Sequence, residues 1–406
     1  MTPRHTTALR ARAARAARHA RRQRGHSVLL GVSLALVGAV SFAATGAATA
    51  WVRLDNNIEV HDVTHLLGNR PERPKPVDPT DPNAGRALNV LVMGSDVRSG
   101  ENAAIGGEVD GMRSDTAIVA HISADRTRMD MVSIPRDSRV DIPSCTYEDG
   151  STSRAQSARF NAAFSIGAVN DNVAEAAACT VHTVEALTGI FIDGWVVVDF
   201  TGFRDMVDAL GGVQMCIPEE LYSEKAQLHL MPGDQFLNGT TALAFARART
   251  GLGLGNGSDL NRMGRQQQLL GAIAQDVFSK NLLTDSAGLY RFLNAATQSL
   301  TASPEIGSIS ALTGLAFSLR NIPSGNITFM TIPYETNPED GNEVVWTGAA
   351  AQVWANLIAD VPMVPQAAPS GTPTPGTDPA TPAEPVGVPT PGLDPITPDD
   401  VAVVCG

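Results

Sequence analysis

Arg113 and Asp115 stand two residues apart in Arg-Ser-Asp-Thr, and Arg136 and Asp137 are adjacent in Ser-Ile-Pro-Arg-Asp. Asp96 and Arg98 precede them in Gly-Ser-Asp-Val-Arg. Arg247 and Arg249 follow in Ala-Arg-Ala-Arg, then Asp259, Arg262 and Gln266 in Asp-Leu-Asn-Arg-Met-Gly-Arg-Gln-Gln. A guanidinium fork matches phosphate oxygens two at a time. Carboxylates beside it suit a hard cation that keeps waters and takes phosphate oxygens. The chemistry this mixture serves is phosphoryl transfer, in which catalysis is mainly positioning and charge neutralisation. An ion-pair network that only ties loops down is the plain alternative for any one residue. Recurrence of the pairing at three strand ends favours a site.

Those ends are set by three apolar runs. Leu88 to Met93, Ala117 to Ile122 and Met129 to Ile134 are short, rich in Val, Ile and Met, and bounded by Gly, Pro or Asp, as buried strands are. Residues 123–127 are polar and read as a hairpin link between the second and third. An antiparallel hairpin brings its start and finish together, so Arg113, Asp115 and Arg136 should meet at one sheet edge, where the Asp96 turn could join them. Asn161 to Gly189 is an Ala-rich helical stretch with a possible interruption at Gly167 and a stop at Gly189. Trp195 to Phe200 reads as a strand, Gly202 to Leu210 as a helix and Val213 to Ile217 as a strand. Arg262 to Lys280, Ser286 to Thr301, Glu305 to Leu319 and Trp346 to Ile358 read as helices, and Ile327 to Ile332 as a late strand. Alternation of this kind is the α/β class, a sheet covered by helices. Arg247 and Arg249 share a face only if the chain is extended there.

The ordered series GSDVR (94–98), RSDT (113–116), SIPRD (133–137), FNAAFSIG (160–167), VDFTGFRDMVDALGGVQMCIP (198–218), ARAR (246–249) and DLNRMGRQQ (259–267) resembles the LytR-CpsA-Psr family of cell-wall glycopolymer ligases. The resemblance covers roughly residues 87–280. It implies a central mixed sheet with helices on both sides and a lipid tunnel for a polyprenyl chain. It implies transfer of a glycopolymer phosphate from an undecaprenyl-pyrophosphate donor to peptidoglycan, or to another envelope acceptor. Carried over by motif, Asp96 and Asp115 would bind Mg²⁺. Arg113, Arg136, Arg247 and Arg249 would clamp the pyrophosphate, with Arg98, Arg262 and Gln266 in support. Asp259 would be the general base, with Arg136 and Arg249 beside it, or else a supporting residue. The Gly-rich stretch 251–257 departs from the family pattern and leaves the register of Asp259 open; it reads as a flexible loop that could close over substrate. A hydrolase using the same clamp and a non-catalytic lipid-binding regulator are the rival readings.

Residues 1–26 hold eight arginines and no acid, and residues 27–52 carry no charge. At about 1.5 Å per residue, 26 residues span about 39 Å, enough for about 30 Å of hydrocarbon with tilt. The reading is a cytoplasmic tail (1–26) and a transmembrane helix (27–52), with the rest outside, as the positive-inside rule requires. A signal peptide cleaved near Ala47 to Ala50 is the alternative. The formal charge of −12 becomes −20 once the +8 of residues 1–26 is removed. Such an acidic domain is a poor general nucleic-acid binder. The remaining arginines gather in the motifs.

Residues 53–86 read as a spacer, 87–362 as a catalytic domain, 363–400 as a disordered Pro-rich linker and 401–406 as an apolar terminus with a cysteine that docks back as a short strand. The four cysteines, Cys145, Cys179, Cys216 and Cys405, allow three pairings. The expected ones are Cys179 with Cys216 and Cys145 with Cys405, in an oxidising compartment. His121 lies in an apolar run and reads as a satisfied core residue.

Overall fold

Alternating apolar residues in the three runs build the middle of a seven-stranded sheet. The computed structural model describes residues 6–73, 75, 85–96, 112–255, 257, 259–279, 286–364, 392 and 394–402. It divides into two units, Met1–Asn56 and Asn57–Gly406. The first is a helix, α1 (Thr6–Asp55). Its stretch Leu30–Asp55 is the one helical segment among the described residues that is long and apolar enough to cross a membrane.

The second unit begins β1 (Glu59–Val60), β2 (Leu88–Ser95), β3 (Ser114–Ile122), β4 (Met129–Ile134), β5 (Arg139–Ile142), β6 (Gln156–Arg159), α2 (Ala162–Gly167) and α3 (Val173–Thr188). It continues β7 (Gly194–Val198), α4 (Phe200–Ala209), β8 (Val213–Ile217), β9 (Leu221–Ser223), β10 (Leu228–Leu230), β11 (Gly233–Leu237) and α5 (Gly239–Arg247). Then come α6 (Asp259–Ser279), α7 (Ser286–Thr297), β12 (Leu300–Ala302), α8 (Ile309–Leu319) and β13 (Ile327–Thr331). Last are β14 (Tyr334–Thr336), β15 (Val344–Trp346), α9 (Gly348–Ile358) and α10 (Pro398–Ala402).

The sheet runs β1-β12-β7-β2-β3-β4-β13 and is mixed, antiparallel at β2/β3 and β3/β4 and parallel at β2/β7 and β4/β13. Successive side chains along a strand point to opposite faces. Leu91, Met93, Ala117, Val119, Val132 and Ile134 therefore share one face, packed with Ala177, Val181 and Val184 of α3 and Trp354 and Leu357 of α9. Met129, Met131, Ile327 and Phe329 face the other way, onto Phe245 of α5 and Leu269 and Ala272 of α6. Helices thus cover both faces, as expected. His121 is fully buried between Asn89 Oδ1 at 2.7 Å and Asp360 Oδ1 at 3.0 Å, the satisfied core histidine anticipated.

Several boundaries differ. The Ala-rich stretch is indeed two helices, α2 and α3; Asn172 caps α3 by accepting from Ala174 and Glu175 N–H, and Gly189 at φ 71° ends it. Thr297 ends the helix expected to run to Thr301, the three-residue β12 begins at Leu300, and Trp346 closes a strand rather than opening a helix. Strand Val213–Ile217 pairs with β11, apart from the main sheet. Spacer residues Val63, Leu66 and Leu67 are core, and Arg70 reaches Glu185 at 2.6 Å, so the folded unit starts well before residue 87.

The expected cysteine pairing is overturned. Cys145 bonds Cys179, their Cα atoms 5.2 Å apart, which fastens the segment after β5 to α3. Cys216 is also disulfide-bonded, and Cys405 lies outside the described residues. Part of the stretch assigned to a disordered linker is packed: Ile396 exchanges backbone hydrogen bonds with Phe329 at 2.8 and 2.9 Å, and Ile396 and Val401 are buried in the second core. The docked element is thus a bridge and the short α10, and it begins earlier than residue 401. Residues 365–391 of the linker lie outside the described residues.

Candidate active site

The hairpin register sets the first pair. Ala117 faces Ile134 across β3 and β4, so two residues farther Asp115 comes opposite Arg136. Arg136 Nη1 lies 2.7 Å from Asp115 Oδ1. Pro135 ends the ladder there and turns Arg136 and Asp137 into the cleft beyond the sheet.

Arg249 arrives from α5. Ala248 after the last turn is extended (φ −59°, ψ 131°), which redirects the chain. Arg249 Nη2 then lies 3.7 Å from Asp259 Oδ1 and 3.9 Å from Asp115 Oδ2. Because Arg247 is still helical, the two arginines diverge: Arg247 lays its guanidinium over the Phe200 ring, 4.4 Å from its centroid, rather than on Asp115 or Asp259.

Asp259 and Arg262 occupy the first turn of α6, where spacing of three places them together, Nη2 to Oδ1 2.6 Å. Arg262 is 3% exposed and also donates to the Asp115 backbone carbonyl at 3.0 Å. Arg136 Nε approaches Asp259 Oδ1 at 3.3 Å. Three arginines therefore surround two aspartates, Asp115 and Asp259, with Asp137 at the margin, 3.3 Å from Arg136 and 3.4 Å from Arg159.

The Gly-rich stretch is a fastened turn rather than a free loop. Tyr222 N–H donates to Leu252 O at 3.1 Å, and Leu254 is fully buried. A Cβ on Gly251 (φ 143°) would strike the Tyr222 carbonyl, and one on Gly253 (φ 68°) the Glu220 carbonyl. Arg265 donates to the carbonyls of Leu254, in the middle of the stretch, and Ala248, just before it, holding the connection against α6. Burial, with Arg262 nearby, lowers its guanidinium to about 10. This fastening keeps Asp259 within reach of Arg249.

Electrostatics separate the two acids. Burial works to raise the Asp115 carboxyl, but Arg136, Arg262 and Arg249 outweigh it and hold it below the usual carboxylate range. Burial wins at Asp259: against Arg262 and Arg136, and helped by the charge of Asp137, it pushes the carboxyl up. One acid is thus held ionised and the other poised closer to neutrality.

Asp96 follows β2 just past the β-bulge where the β2/β3 register shifts after Gly94, opposite Arg113. Its Oδ1 accepts the Arg113 N–H at 2.8 Å, and Asp96 N–H donates to Arg113 O at 2.9 Å. Asp115 Oδ2 stays beyond hydrogen-bond reach of its arginines, at 3.6 and 3.9 Å. An ionised carboxylate with an oxygen to give fits Mg²⁺, which binds proteins through one or two carboxylates and fills its shell with water and phosphate. No set of three or more metal-ligating side chains occurs among the described residues.

Of the other expected residues, Arg113 is exposed, and Gln266 braces the site by bonding Thr116 at 3.3 Å and Ala246 O at 3.2 Å. Arg98 lies outside the described residues. A cleft of about 410 Å³ opens from Arg136, Arg249 and Asp259 past Asp137 to Arg159, Tyr334, Thr336, Asn342 and Glu343. The last five carried no signal in the sequence, because they belong to separate elements and stand in no charged motif. Asp137 was visible in Ser-Ile-Pro-Arg-Asp.

Residues 56–359 match the model of the LytR_cpsA_psr family. The chain is 31% identical over 274 residues to the probable cell wall biosynthesis protein LcpB of Corynebacterium glutamicum, covering 65% of this chain and 59% of that protein. It is 35% identical over 166 residues to the polyisoprenyl-teichoic acid–peptidoglycan teichoic acid transferase TagV of Bacillus subtilis, covering 40% of this chain and 38% of the relative. The crystal structure of B. subtilis TagV superposes with a TM-score of 0.51 at 25% identity, over 68% of this chain and 97% of that one. The chain therefore spans about six tenths of the length of LcpB and less than half that of TagV.

Proposed function

This chain belongs to the LytR_cpsA_psr family, and on that premise we propose that it is a membrane-anchored phosphotransferase. It moves a glycopolymer from an undecaprenyl-pyrophosphate carrier to peptidoglycan or another envelope acceptor, its catalytic unit outside the cell and α1 in the membrane. The convergence of Arg136, Arg249 and Arg262 on Asp115 and Asp259, at the mouth of an open cleft, carries the reading. The similarity to TagV, a teichoic acid transferase, and to LcpB, a probable cell wall biosynthesis protein, agrees with it.

The diphosphate lies against Arg136, Arg249 and Arg262, whose charge is otherwise balanced by Asp115 and Asp259, with Arg113 joining them. Asp115 and Asp96 would hold Mg²⁺, which supplies charge neutralisation to the phosphate oxygens. Asp259 takes the proton of the acceptor hydroxyl. That oxygen bonds to the phosphorus bearing the glycopolymer, and the bond to the bridging oxygen breaks, releasing undecaprenyl phosphate. The arginines offset charge on the equatorial and leaving oxygens.

The test is mass spectrometry of lipid carried by the full chain purified from membranes in mild detergent. A polyprenyl pyrophosphate, free or glycan-linked, is expected to co-purify, and Arg136→Ala with Arg249→Ala should deplete it. A preparation that carries none, and takes up none when a polyprenyl diphosphate is added, contradicts the reading.

A further inference from the structure

The cleft is larger than a diphosphate needs, and its far wall is built differently from the arginine cluster. That wall is the β14/β15 hairpin, where Tyr334 pairs with Trp346 and Thr336 with Val344. The hairpin is fixed to the site: Val344 N–H donates to Asp137 O at 3.1 Å, and Asn337 Nδ2 holds Glu343 Oε2 at 3.1 Å. Glu343 in turn meets Arg159 at 3.5 Å. The surface sets the donors and acceptors of Asp137, Arg159, Thr336, Asn342 and Glu343 beside apolar area from Pro135, Met263 and Val344, a mixture that suits a hydroxylated ring better than a polyprenyl chain.

Tyr334 stands where this wall meets the cluster. It lines the cleft with Asp259, and its hydroxyl is buried with no hydrogen-bond partner among the described residues. A buried phenol normally finds a partner, and leaving one without costs stability. Nothing in the packing of the hairpin requires the oxygen, since phenylalanine would fill the same volume. Burial, together with the charge of Asp259, raises the phenol well above its ordinary value, so it stays protonated and acts as a donor.

Resting on the phosphotransferase reading, we propose that the β14/β15 wall is the acceptor-sugar subsite and that Tyr334 is its positioning residue, donating its O–H to an oxygen of the acceptor beside the hydroxyl that Asp259 deprotonates. The diphosphate and the acceptor then occupy opposite ends of one cleft, with Asp259 between them. The proposal separates residues that bind the donor from a residue that serves only the acceptor.

Tyr334→Phe in the full detergent-solubilised chain tests it, with two probes titrated by calorimetry: a muropeptide containing N-acetylmuramic acid and inorganic pyrophosphate with Mg²⁺. The variant is expected to melt at the same temperature as the wild type or higher. Its muropeptide affinity should fall about tenfold, the loss of one hydrogen bond to a neutral group, while pyrophosphate affinity stays within twofold. In transfer assays the KM for the muropeptide should rise more than kcat falls. An unchanged muropeptide affinity, no binding of the muropeptide by wild type, or a parallel loss of pyrophosphate affinity overturns the assignment. Wild type that fails to bind pyrophosphate sinks the phosphotransferase reading itself, a result distinct from those.

Discussion

Asp259 is buried among three arginines, and still burial outweighs Arg262 and Arg136 and lifts its carboxyl above the usual range. A general base works only when deprotonated. Transfer should therefore fall as pH drops through the raised Asp259 value and level off above it, placing the acid limb of kcat/KM above the ordinary carboxylate pKa of about 4. Asp259→Asn should cost roughly 10²–10⁴-fold in kcat/KM and remove the limb; a limb that persists in the variant contradicts the assignment. The residues that meet here were legible because each closes a short charged motif at the end of an apolar run, and the 115/136 pairing follows from a hairpin alone. Arg247 parts from Arg249 for an equally local reason. A spacing of two shares a face in extended chain, and Arg247 is the last helical residue of α5. Tyr334, Arg159 and Glu343 announce themselves by no spacing, being brought to the cleft only by tertiary structure.

At the scale of elements, the path of the chain between α5 and α6 decides whether Arg249 and Asp259 meet. Gly251 holds a φ of 143° with no room for a Cβ beside the Tyr222 carbonyl. Gly251→Ala should destabilise the fold by more than about 1 kcal/mol, seen as a lowered melting temperature, and reduce transfer by displacing Arg249. A variant with wild-type melting and transfer would show that the turn does not set the site. The glycines looked like freedom in the sequence because their composition is that of a linker. What fixes them is the Arg265 guanidinium under the carbonyls of Ala248 and Leu254 and the bridge from Leu252 to Tyr222. Long elements were read well: the hairpin, α3 and α6 carry enough residues for a period to show. Three-residue strands such as β12, β14 and β15 do not, and two of them were absorbed into neighbouring helices.

Across the whole molecule, one sheet delivers Asp96, Asp115 and Arg136 from adjacent strand ends, while the helices on one face deliver Arg249, Asp259 and Arg262. The Cys145–Cys179 bridge closes 34 residues on the opposite face, a constraint on the unfolded chain of about 3–4 kcal/mol in the chain-entropy picture. Its pairing was not legible, since four cysteines permit three arrangements and only the packing of α3 against the segment after β5 selects one. The sheet-and-helix class was legible from alternation; the inclusion of residues 57–73 and 394–402 in the folded unit was not, because the first runs into a Pro-rich stretch, the second lies among prolines, and their apolar anchors, such as Val63 and Ile396, are few. The central claim is that the arginine cluster is where the diphosphate reacts. The most direct measurement is the rate at which the full-length Arg249→Ala variant, half-exposed at that position and so expected to fold normally, transfers a polyprenyl-pyrophosphoryl disaccharide to muropeptide. The predicted result is a loss of about 10²–10³-fold with unchanged melting temperature. Transfer within fivefold of wild type would contradict it.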